Sequence, residues 1–346
     1  HDWLVLDVIP HDKNRVWSPD NLQICDPTRP TTVVAGGPGR RRWEFMRLPG
    51  ETLADLNQED RAWELLRPHD IHPANAVLER HTVYTFEARW ADTWREGRLL
   101  LAGDAAHQMP PFAGQGMCSG IRDALNLTWK LDLVLSGDAH EALLDTYTAE
   151  RGQHLQRAIE SSLRLGGIIC EPDPAAAAER DAYMFALLRE GTSPLANLPP
   201  RALSVGLLMR DGDGTPVTSA GRLVGQGRVR FRGETGLFDQ VVGTGFALLT
   251  TQDAHPQLDA ASLAWCEEIG VRMLRITDDR AADGPIDVVD LDGVYLSQLT
   301  ESGQTALLVR PDHYVFGGVT GLEEVPRLVA ALREGLAGRP VGLQPA

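Results

Sequence analysis

The sequence has few of the residues on which metal, redox and nucleic-acid chemistry depend. Its four cysteines form no CxxC pair and no Cys/His cluster, which argues against a structural zinc, an iron–sulfur cluster or a disulfide framework. The net charge of −15 at pH 7 disfavours binding to nucleic acid or to an anionic membrane. No segment approaches the ~18–20 unbroken apolar residues of a membrane span. We therefore expect a cytoplasmic protein with no metal site, no nucleic-acid partner and no membrane partner.

The chain starts abruptly. Residue 1 is His rather than Met, and residues 3–9 already have the pattern of a strand. No basic segment followed by an apolar one precedes them, so no signal peptide is expected in the residues given. We interpret the chain as a fragment whose N-terminal part is missing, and simple processing is the alternative.

Length and patterning predict an α/β (α+β) protein of about two or three domains. Four parts follow one another: a strand-rich part (1–95), a strand–glycine loop–helix part (96–170), a helical connector (171–227) and a small α/β domain (228–346). In the first part, strands are expected at 3–9, 31–35, 43–48 and 79–88, and a short acidic helix is expected over 51–67. In the second part, Arg98–Ala102 has the pattern of a strand buried on both faces, and a helix over about 119–135 is expected to be buried on most sides. The last part is predicted to include a strand at Gly293–Gln298.

The most informative segment is the glycine-rich loop 103–116, which a predicted strand precedes and a predicted helix follows. A helix N-terminus offers unpaired N–H groups and a positive dipole end, which suit a ligand that carries or develops negative charge. Gly114 and Gly116 allow the backbone to approach a flat ligand, and Pro110 stiffens the loop. Asp104 can accept hydrogen bonds from hydroxyls. A flavin, with a polyol chain and an electron-poor ring, meets all these requirements.

This segment resembles the second flavin motif of the single-component FAD-dependent aromatic hydroxylases (class A flavoprotein monooxygenases). It is most similar to the 3-(3-hydroxyphenyl)propionate hydroxylases, which depend on NADH. The motif consists of Gly103–His107, Pro110, Gly114–Gly116 and Asp123–Leu131. Further similar segments cover most of the chain: Cys25–Pro30, Arg41–Met46, Pro49–Glu51, Val83–Thr85, Ala88–Arg89, Leu143–Tyr147, Glu150–Arg151 and Val309–Asp312.

The resemblance implies roles for individual residues of the motif. Asp104, next to Gly103, would hold the ribityl hydroxyls of FAD, and Pro110 would border the isoalloxazine ring. The backbone N–H groups of Gly116, Met117 and Cys118 would face the pyrimidine side of the ring and favour negative charge there. Cys118 stands where many relatives carry Asn. His107 is interpreted as a structural residue of the loop, and an acid–base role is the alternative.

The sequence also departs from the family. The GxGxxG segment that binds the FAD pyrophosphate and the later Asp-Gly motif are both missing, which agrees with truncation. We therefore expect the chain alone to bind FAD weakly and to be inactive. The resemblance implies that 1–95 is a β-sheet substrate domain and that 96–170 is the C-terminal part of a Rossmann-like FAD-binding domain. It also implies a thioredoxin-like fold for 228–346, where the lack of CxxC leaves a role in packing and assembly. A homo-oligomer is possible, and the sequence does not decide the oligomeric state.

The implied reaction uses FAD, NADH and O₂. NADH would reduce the flavin, and a flavin C4a-hydroperoxide would hydroxylate a phenolic acid ortho to its hydroxyl. 3-(3-Hydroxyphenyl)propionate or 3-hydroxycinnamate would give the catechol. The alternatives are a hydroxylase that tailors a polyketide or another polycyclic phenol, and a non-catalytic fragment. No catalytic side chain is assigned, because the hard chemistry belongs to the cofactor.

A substrate site is predicted on the strand after residue 40. Trp43, Phe45 and Tyr84 would line an aromatic pocket, and ordinary core positions are the equal alternative. Arg41 would bind the substrate carboxylate, since it shares one strand face with Trp43 and Phe45. The alternative for Arg40–Arg42 is a solvated charged face.

Overall fold

The computed structural model describes residues 1–192 and 202–338. The chain divides into two compact units. The first contains His1–Trp90, His107–Met117 and Arg157–Pro199, and the second contains Ala91–Ala106, Cys118–Gln156 and Pro200–Ala346. The division into four parts made from the sequence stays a prediction. Within the described residues, no helix combines the length and apolar character needed to cross a membrane.

An antiparallel five-stranded sheet forms the core of the first unit. Its strands are β1 (Asp2–Pro10), β2 (Leu22–Ile24), β3 (Thr31–Ala35), β4 (Arg41–Met46) and β5 (Ala76–Thr85), in the order β2-β3-β4-β1-β5. The sequence predicted four of these strands, β1, β3, β4 and β5, and they are confirmed apart from some of their ends, whereas β2 was not predicted. Helices α1 (Leu53–Leu56) and α2 (Glu59–Leu66) follow in the acidic segment where helix was expected.

The two faces of this sheet differ. One face packs against α1 and α2, and the buried side chains of this cluster include Leu4, Leu6, Val33, Trp43, Phe45, Leu56 and Leu66. Because neighbouring residues of a strand point to opposite faces, the intervening positions lie on the other side. We call this other side the second face; its residues are Trp3, Val5, Asp7, Thr32, Arg42, Glu44, Met46, Arg80 and Tyr84.

Short strands and long helices follow the sheet in the chain. The strands are β6 (Arg89–Trp90), β7 (Arg95–Glu96), β8 (Leu99–Leu100) and β9 (His107–Gln108), and the helices are α3 (Gly116–Ser136), α4 (Asp145–Ile169) and α5 (Pro174–Arg189). β6 pairs with β9, and β7 pairs with β8. Asp173 caps α5 by accepting hydrogen bonds from the N–H groups of Ala175 and Ala176. Part of the predicted connector, residues 193–201, lies outside the described residues.

The prediction of a strand at Arg98–Ala102 buried on both faces is wrong. The strand is only two residues long, and Leu99 is 76% exposed. Among the described residues β8 pairs with β7 alone, so it is not an inner strand of a larger sheet of the kind that is buried on both faces. α3 is likewise less buried than expected, since Ile121, Leu125 and Leu135 are exposed.

A seven-stranded mixed sheet forms the C-terminal part of the second unit. Its strands are β10 (Arg228–Phe231), β11 (Glu234–Leu237), β12 (Ala247–Thr250), β13 (Arg272–Thr277), β14 (Asp287–Asp290), β15 (Ala306–Val309) and β16 (Val315–Val319), in the order β11-β10-β14-β13-β12-β15-β16. The helices are α6 (Phe238–Val241), α7 (Ala260–Glu268), α8 (Val294–Ser302) and α9 (Val325–Leu336). β12, β13 and β14 run parallel. The predicted α/β class is confirmed.

One element of this domain was predicted wrongly. Gly293–Gln298 was expected to be a strand, but the segment opens α8. Asp290, at the end of β14, accepts hydrogen bonds from the N–H groups of Val294, Tyr295 and Leu296 at 2.8–3.2 Å. This carboxylate satisfies the unpaired donors of the first turn and so favours the helix over an extended chain.

Candidate functional site

The predicted flavin loop begins at a turn that is tied to helix α3. Gly103 has a φ of +58°, and its amide donates a hydrogen bond to the Asp123 carboxylate at 3.1 Å. A Cβ placed on Gly120 would lie 3.3 Å from the Gly103 Cα, so a side chain at residue 120 would crowd the turn. Glycine at both positions therefore lets the turn lie directly on the helix.

A buried ion pair holds this attachment. Arg151 of α4 donates through Nε to Asp123 Oδ1 at 2.7 Å and through a terminal nitrogen to the Ser119 carbonyl at 3.3 Å. Both charged side chains are at most 1% exposed. Asp123 thus binds a backbone amide and a guanidinium, which compensates for burying its charge. The turn, α3 and α4 are fixed together by these contacts.

Asp104 lies on this turn and is free to bind a ligand. Its side chain is exposed and accepts no hydrogen bond from the residues that the structure describes, so the alternative role as a turn cap receives no support. A carboxylate in this position fits a hydroxyl donor, because hydrogen bonds to a charged acceptor are stronger than those to a neutral one. A polyol chain is the kind of group that supplies such donors.

The middle of the loop, from His107, belongs to the first unit and contacts other residues of that unit. Pro110 is buried, and its carbonyl accepts a hydrogen bond from the Ser162 hydroxyl at 2.5 Å. The Phe112 ring lies 5.7 Å from that of Trp3, on the second face of the sheet. Gly114 has a φ of +61° with open space where a Cβ would be, so the backbone there stays accessible.

Helix α3 starts at Gly116, three residues earlier than predicted. The N–H groups of Gly116, Met117 and Cys118 therefore lie in its first turn, where no intrahelical acceptor exists. Met117 is exposed and Cys118 is half-buried. This terminus adds the positive end of the helix dipole, which favours a ligand group carrying negative charge. The donors and acceptors of the loop residues fit a flavin. His107 is buried, and its role stays a prediction.

A second buried polar cluster, in the second unit, was not predicted. It joins α3 and α4 to the hairpin between β15 and β16, and its side chains are Asn126, Lys130, Glu150, Arg310 and Asp312. Arg310 donates to Glu150 at 2.6 and 2.9 Å and to Asp312 at 2.6 and 3.0 Å. Lys130 donates to Glu150 at 2.9 Å. Each residue is buried, so two cations and two anions compensate one another away from water.

The electrostatics of this cluster follow from its burial. Burial lowers the pKa of Lys130 to about 8, and repulsion from Arg310 adds to this, while Glu150 opposes it. Burial alone would raise the pKa of Glu150, but Arg310 and Lys130 outweigh it and hold the pKa below its usual range. The sequence signal was present: the similar segments Asp123–Leu131, Glu150–Arg151 and Val309–Asp312 contain all five residues. Their burial could not be foreseen without the fold.

The four predicted substrate residues do not lie together. Trp43 and Phe45 are buried in the core against α1 and α2, whereas Tyr84 is on the second face. Arg41 is 4% exposed and donates to the carbonyls of Pro19 and Asp20 at 2.8 and 2.5 Å. The structure therefore separates Tyr84 from the other two aromatic residues and engages most of the Arg41 guanidinium. A role of these residues in substrate binding stays a prediction.

Comparison with known proteins finds two family models and several relatives that match this chain. Residues 2–162 match the family described as FAD binding domain, and residues 221–335 match the HcaD C-terminal domain. A probable NADH-specific resorcinol 4-hydroxylase of Rhodococcus jostii (strain RHA1) is 38% identical over 93% of this chain and 58% of its own length. A 3-(3-hydroxy-phenyl)propionate/3-hydroxycinnamic acid hydroxylase of Klebsiella pneumoniae (strain 342) is 35% identical over 91% of this chain and 59% of its own. The chain thus spans about three fifths of the length of these relatives.

Solved structures show the same fold at lower identity. Aklavinone-11 hydroxylase, solved with FAD and aklavinone, gives a TM-score of 0.70 at 23% identity and covers 97% of this chain and 62% of that one. The flavin-dependent monooxygenase PieE, solved with FAD and substrate, gives 0.73 at 21% identity and covers 96% and 66%. Taken with the sequence relatives, these matches confirm the predicted resemblance. Over most of its length the chain is similar to the FAD-dependent aromatic hydroxylases, the class A flavoprotein monooxygenases.

Proposed function

We propose that the protein containing this chain is an FAD- and NADH-dependent monooxygenase that hydroxylates a phenolic ring ortho to its hydroxyl. One observation carries the proposal: the exposed and unpartnered Asp104 carboxylate stands on a turn tied to α3, and the loop from this turn leads to the free N–H groups that begin the helix. The names of the sequence relatives support the reaction class.

The residues of this chain would bind and orient the cofactor. Asp104 would hold the ribityl hydroxyls, and Pro110 would border the ring. The N–H groups of Gly116, Met117 and Cys118 would stabilise negative charge on the ring through hydrogen bonds and the helix dipole. FAD, when bound, supplies the activation of O₂, and the protein supplies positioning and a site from which water is excluded.

Two classes of small substrate are consistent with the relatives. One is the phenolic acid predicted from the sequence, 3-(3-hydroxyphenyl)propionate or 3-hydroxycinnamate. The other is a neutral dihydroxybenzene such as resorcinol. A polycyclic phenol is a further candidate, since the structurally similar aklavinone-11 hydroxylase was solved with aklavinone. Location in the cytoplasm and a homo-oligomeric state stay predictions.

Turnover tests this function directly. The protein at the full length of its gene is loaded with FAD and mixed with NADH, O₂ and a phenol, and phenol-dependent NADH oxidation is measured. Isotopically labelled O₂ should place one labelled oxygen in the catechol product. Faster turnover of a polycyclic phenol would favour the tailoring alternative. Absence of product with every phenol, in a protein that retains FAD, would favour a non-catalytic role.

A further inference from the structure

The second face of the five-stranded sheet carries a half-buried carboxylate in its middle. Glu44 of β4 lies between Thr32 of β3 and Val5 of β1, its register partners on the two sides. Arg42, two residues earlier on the same strand, pairs with Asp7 of β1. Glu44 therefore points away from the helix-packed core and belongs to a polar strip on this face.

Each cation of this face already has a partner. Arg42 donates to both oxygens of Asp7, at 2.7 and 3.0 Å, in a bidentate pair. Arg80 lies 3.8 Å from the same carboxylate and donates to the Tyr84 hydroxyl at 2.8 Å. Asp7 is therefore shared between the two guanidinium groups. Neither group is free for a further carboxylate without breaking an existing contact.

The Glu44 carboxylate, in contrast, has no partner. It accepts no hydrogen bond from any residue that the structure describes, although it is only partly exposed. Burial raises its pKa from the usual value, and Asp7 adds to this, while Arg42 opposes it. No protein donor occupies this partly exposed carboxylate, so a ligand that covers it and displaces its water must bring an O–H or N–H donor to be stabilised here.

This carboxylate shares its sheet face with residues that contact the loop carrying the flavin motif. Met46, two residues after Glu44 on the same face, belongs to a buried apolar cluster with Trp3 and Phe112. Successive residues on one face of a strand are ~7 Å apart. Phe112 belongs to the part of the loop 103–116 that lies in the first unit. The polar strip and this part of the loop therefore border a common region of the first unit. The ~7 Å between Glu44 and Met46 along the strand is comparable to the width of a single aromatic ring.

We propose that Glu44 accepts a hydrogen bond from a ring hydroxyl of the substrate, and that the second face thereby selects a neutral polyhydroxylated ring over an aryl carboxylate. The inference rests on the proposed aromatic hydroxylation and names its substrate class. A phenolic hydroxyl satisfies the unpartnered acceptor. An aryl-propionate would bring a second carboxylate towards Glu44, where Arg42 and Arg80 are engaged by Asp7, and burying an uncompensated charge is costly.

Binding measured separately from turnover tests this inference. Dissociation constants of resorcinol and 3-(3-hydroxyphenyl)propionate are determined by calorimetric titration of the FAD-loaded protein. We expect resorcinol to bind at least tenfold more tightly. Glu44→Gln keeps the shape of the side chain but removes its charge. It should therefore weaken the binding of resorcinol and strengthen the binding of the propionate, and shift the ratio of the two dissociation constants by about tenfold. Glu64→Gln, at an exposed position of α2, should leave the ratio unchanged.

The outcomes separate the two proposals. Tighter binding of the propionate to the wild-type protein, with productive hydroxylation of it, would overturn the selectivity and leave the hydroxylase function standing. The same ratio in wild type and Glu44→Gln would also overturn the role of Glu44. Hydroxylation of neither ring would count against the proposed function itself. The wild-type preference needs no variant, so the inference stays testable if Glu44→Gln does not fold.

Discussion

The Gly103 amide donates a hydrogen bond to the Asp123 carboxylate, which a buried Arg151 holds from the other side. The start of the candidate cofactor loop is therefore anchored through the amide of its own Gly103 to a charge pair between two helices. The exposed side chain next to this anchor is Asp104. An exposed ligand-binding residue can be positioned in this way because its backbone is fixed by buried partners.

Breaking this anchor should destabilise the fold. Arg151→Met removes the guanidinium and leaves Asp123 buried without a compensating charge, which costs about 3–5 kcal/mol. Urea unfolding should show this loss in the free energy of unfolding. Arg89→Met is the matched control, because Arg89 pairs with Glu87 in solvent and its loss should cost at most about 1 kcal/mol. Equal effects of the two substitutions would contradict the anchoring role.

The buried cluster around Glu150 should be equally sensitive. Glu150→Gln leaves Lys130 and Arg310 with Asp312 as their remaining carboxylate, so an uncompensated positive charge stays buried. The expected loss is about 3–5 kcal/mol in the free energy of unfolding. Glu141→Gln, at an exposed position, is the control and should change the value by less than about 1 kcal/mol. A loss below that limit for Glu150→Gln would show that the cluster contributes little to stability.

Glu51 should make stability depend on acid pH. Its carboxylate accepts two hydrogen bonds from Arg29, at 2.6 and 2.8 Å, and these, with Leu48 and Arg61, outweigh burial and lower its pKa from 4.5 to about 2. A pKa that is depressed in the folded state stabilises the protein above the unfolded value. This contribution, about 3 kcal/mol, is lost as pH falls from 4.5 towards 2.

Unfolding of wild type and Glu51→Gln at several pH values checks this dependence. The variant should be less stable at pH 7, and the gap should close as pH falls through that window. Glu64→Gln serves as a control, since Glu64 is well exposed. A gap that stays constant between pH 7 and acid conditions would exclude Glu51 as its source.

Local pattern predicted the fold where one face of an element decides its structure. β3 was predicted with its observed limits, because five β-branched or small residues stand between turn signals. The helix that begins at Val294 was predicted wrongly as a strand because the deciding interaction is a carboxylate, Asp290, that precedes the segment and caps it. The burial of Leu99 was overestimated because an apolar run does not reveal whether other strands cover it.

The sequence allowed the candidate cofactor-binding residues to be named together, but it gave less guidance on the substrate-binding residues. The motif from Gly103 to Cys118 is local, so its residues could be named together. The substrate residues depend on which sheet face is covered by α1 and α2, and alternation alone leaves the two faces equivalent. Trp43 and Phe45 were therefore chosen for the pocket, whereas the unpartnered Glu44 between them was overlooked.

FAD affinity of an Asp104 variant tests the flavin site most directly. FAD is titrated into wild type, Asp104→Ala and the control Asp132→Ala, all at the full length of the gene, and binding is followed by quenching of flavin fluorescence. Loss of a hydrogen bond to a charged acceptor, worth ~1.5–3 kcal/mol, predicts at least about tenfold weaker binding for Asp104→Ala and unchanged binding for Asp132→Ala, an exposed position of α3. The same FAD affinity in all three proteins would contradict the assignment of this loop as the flavin site.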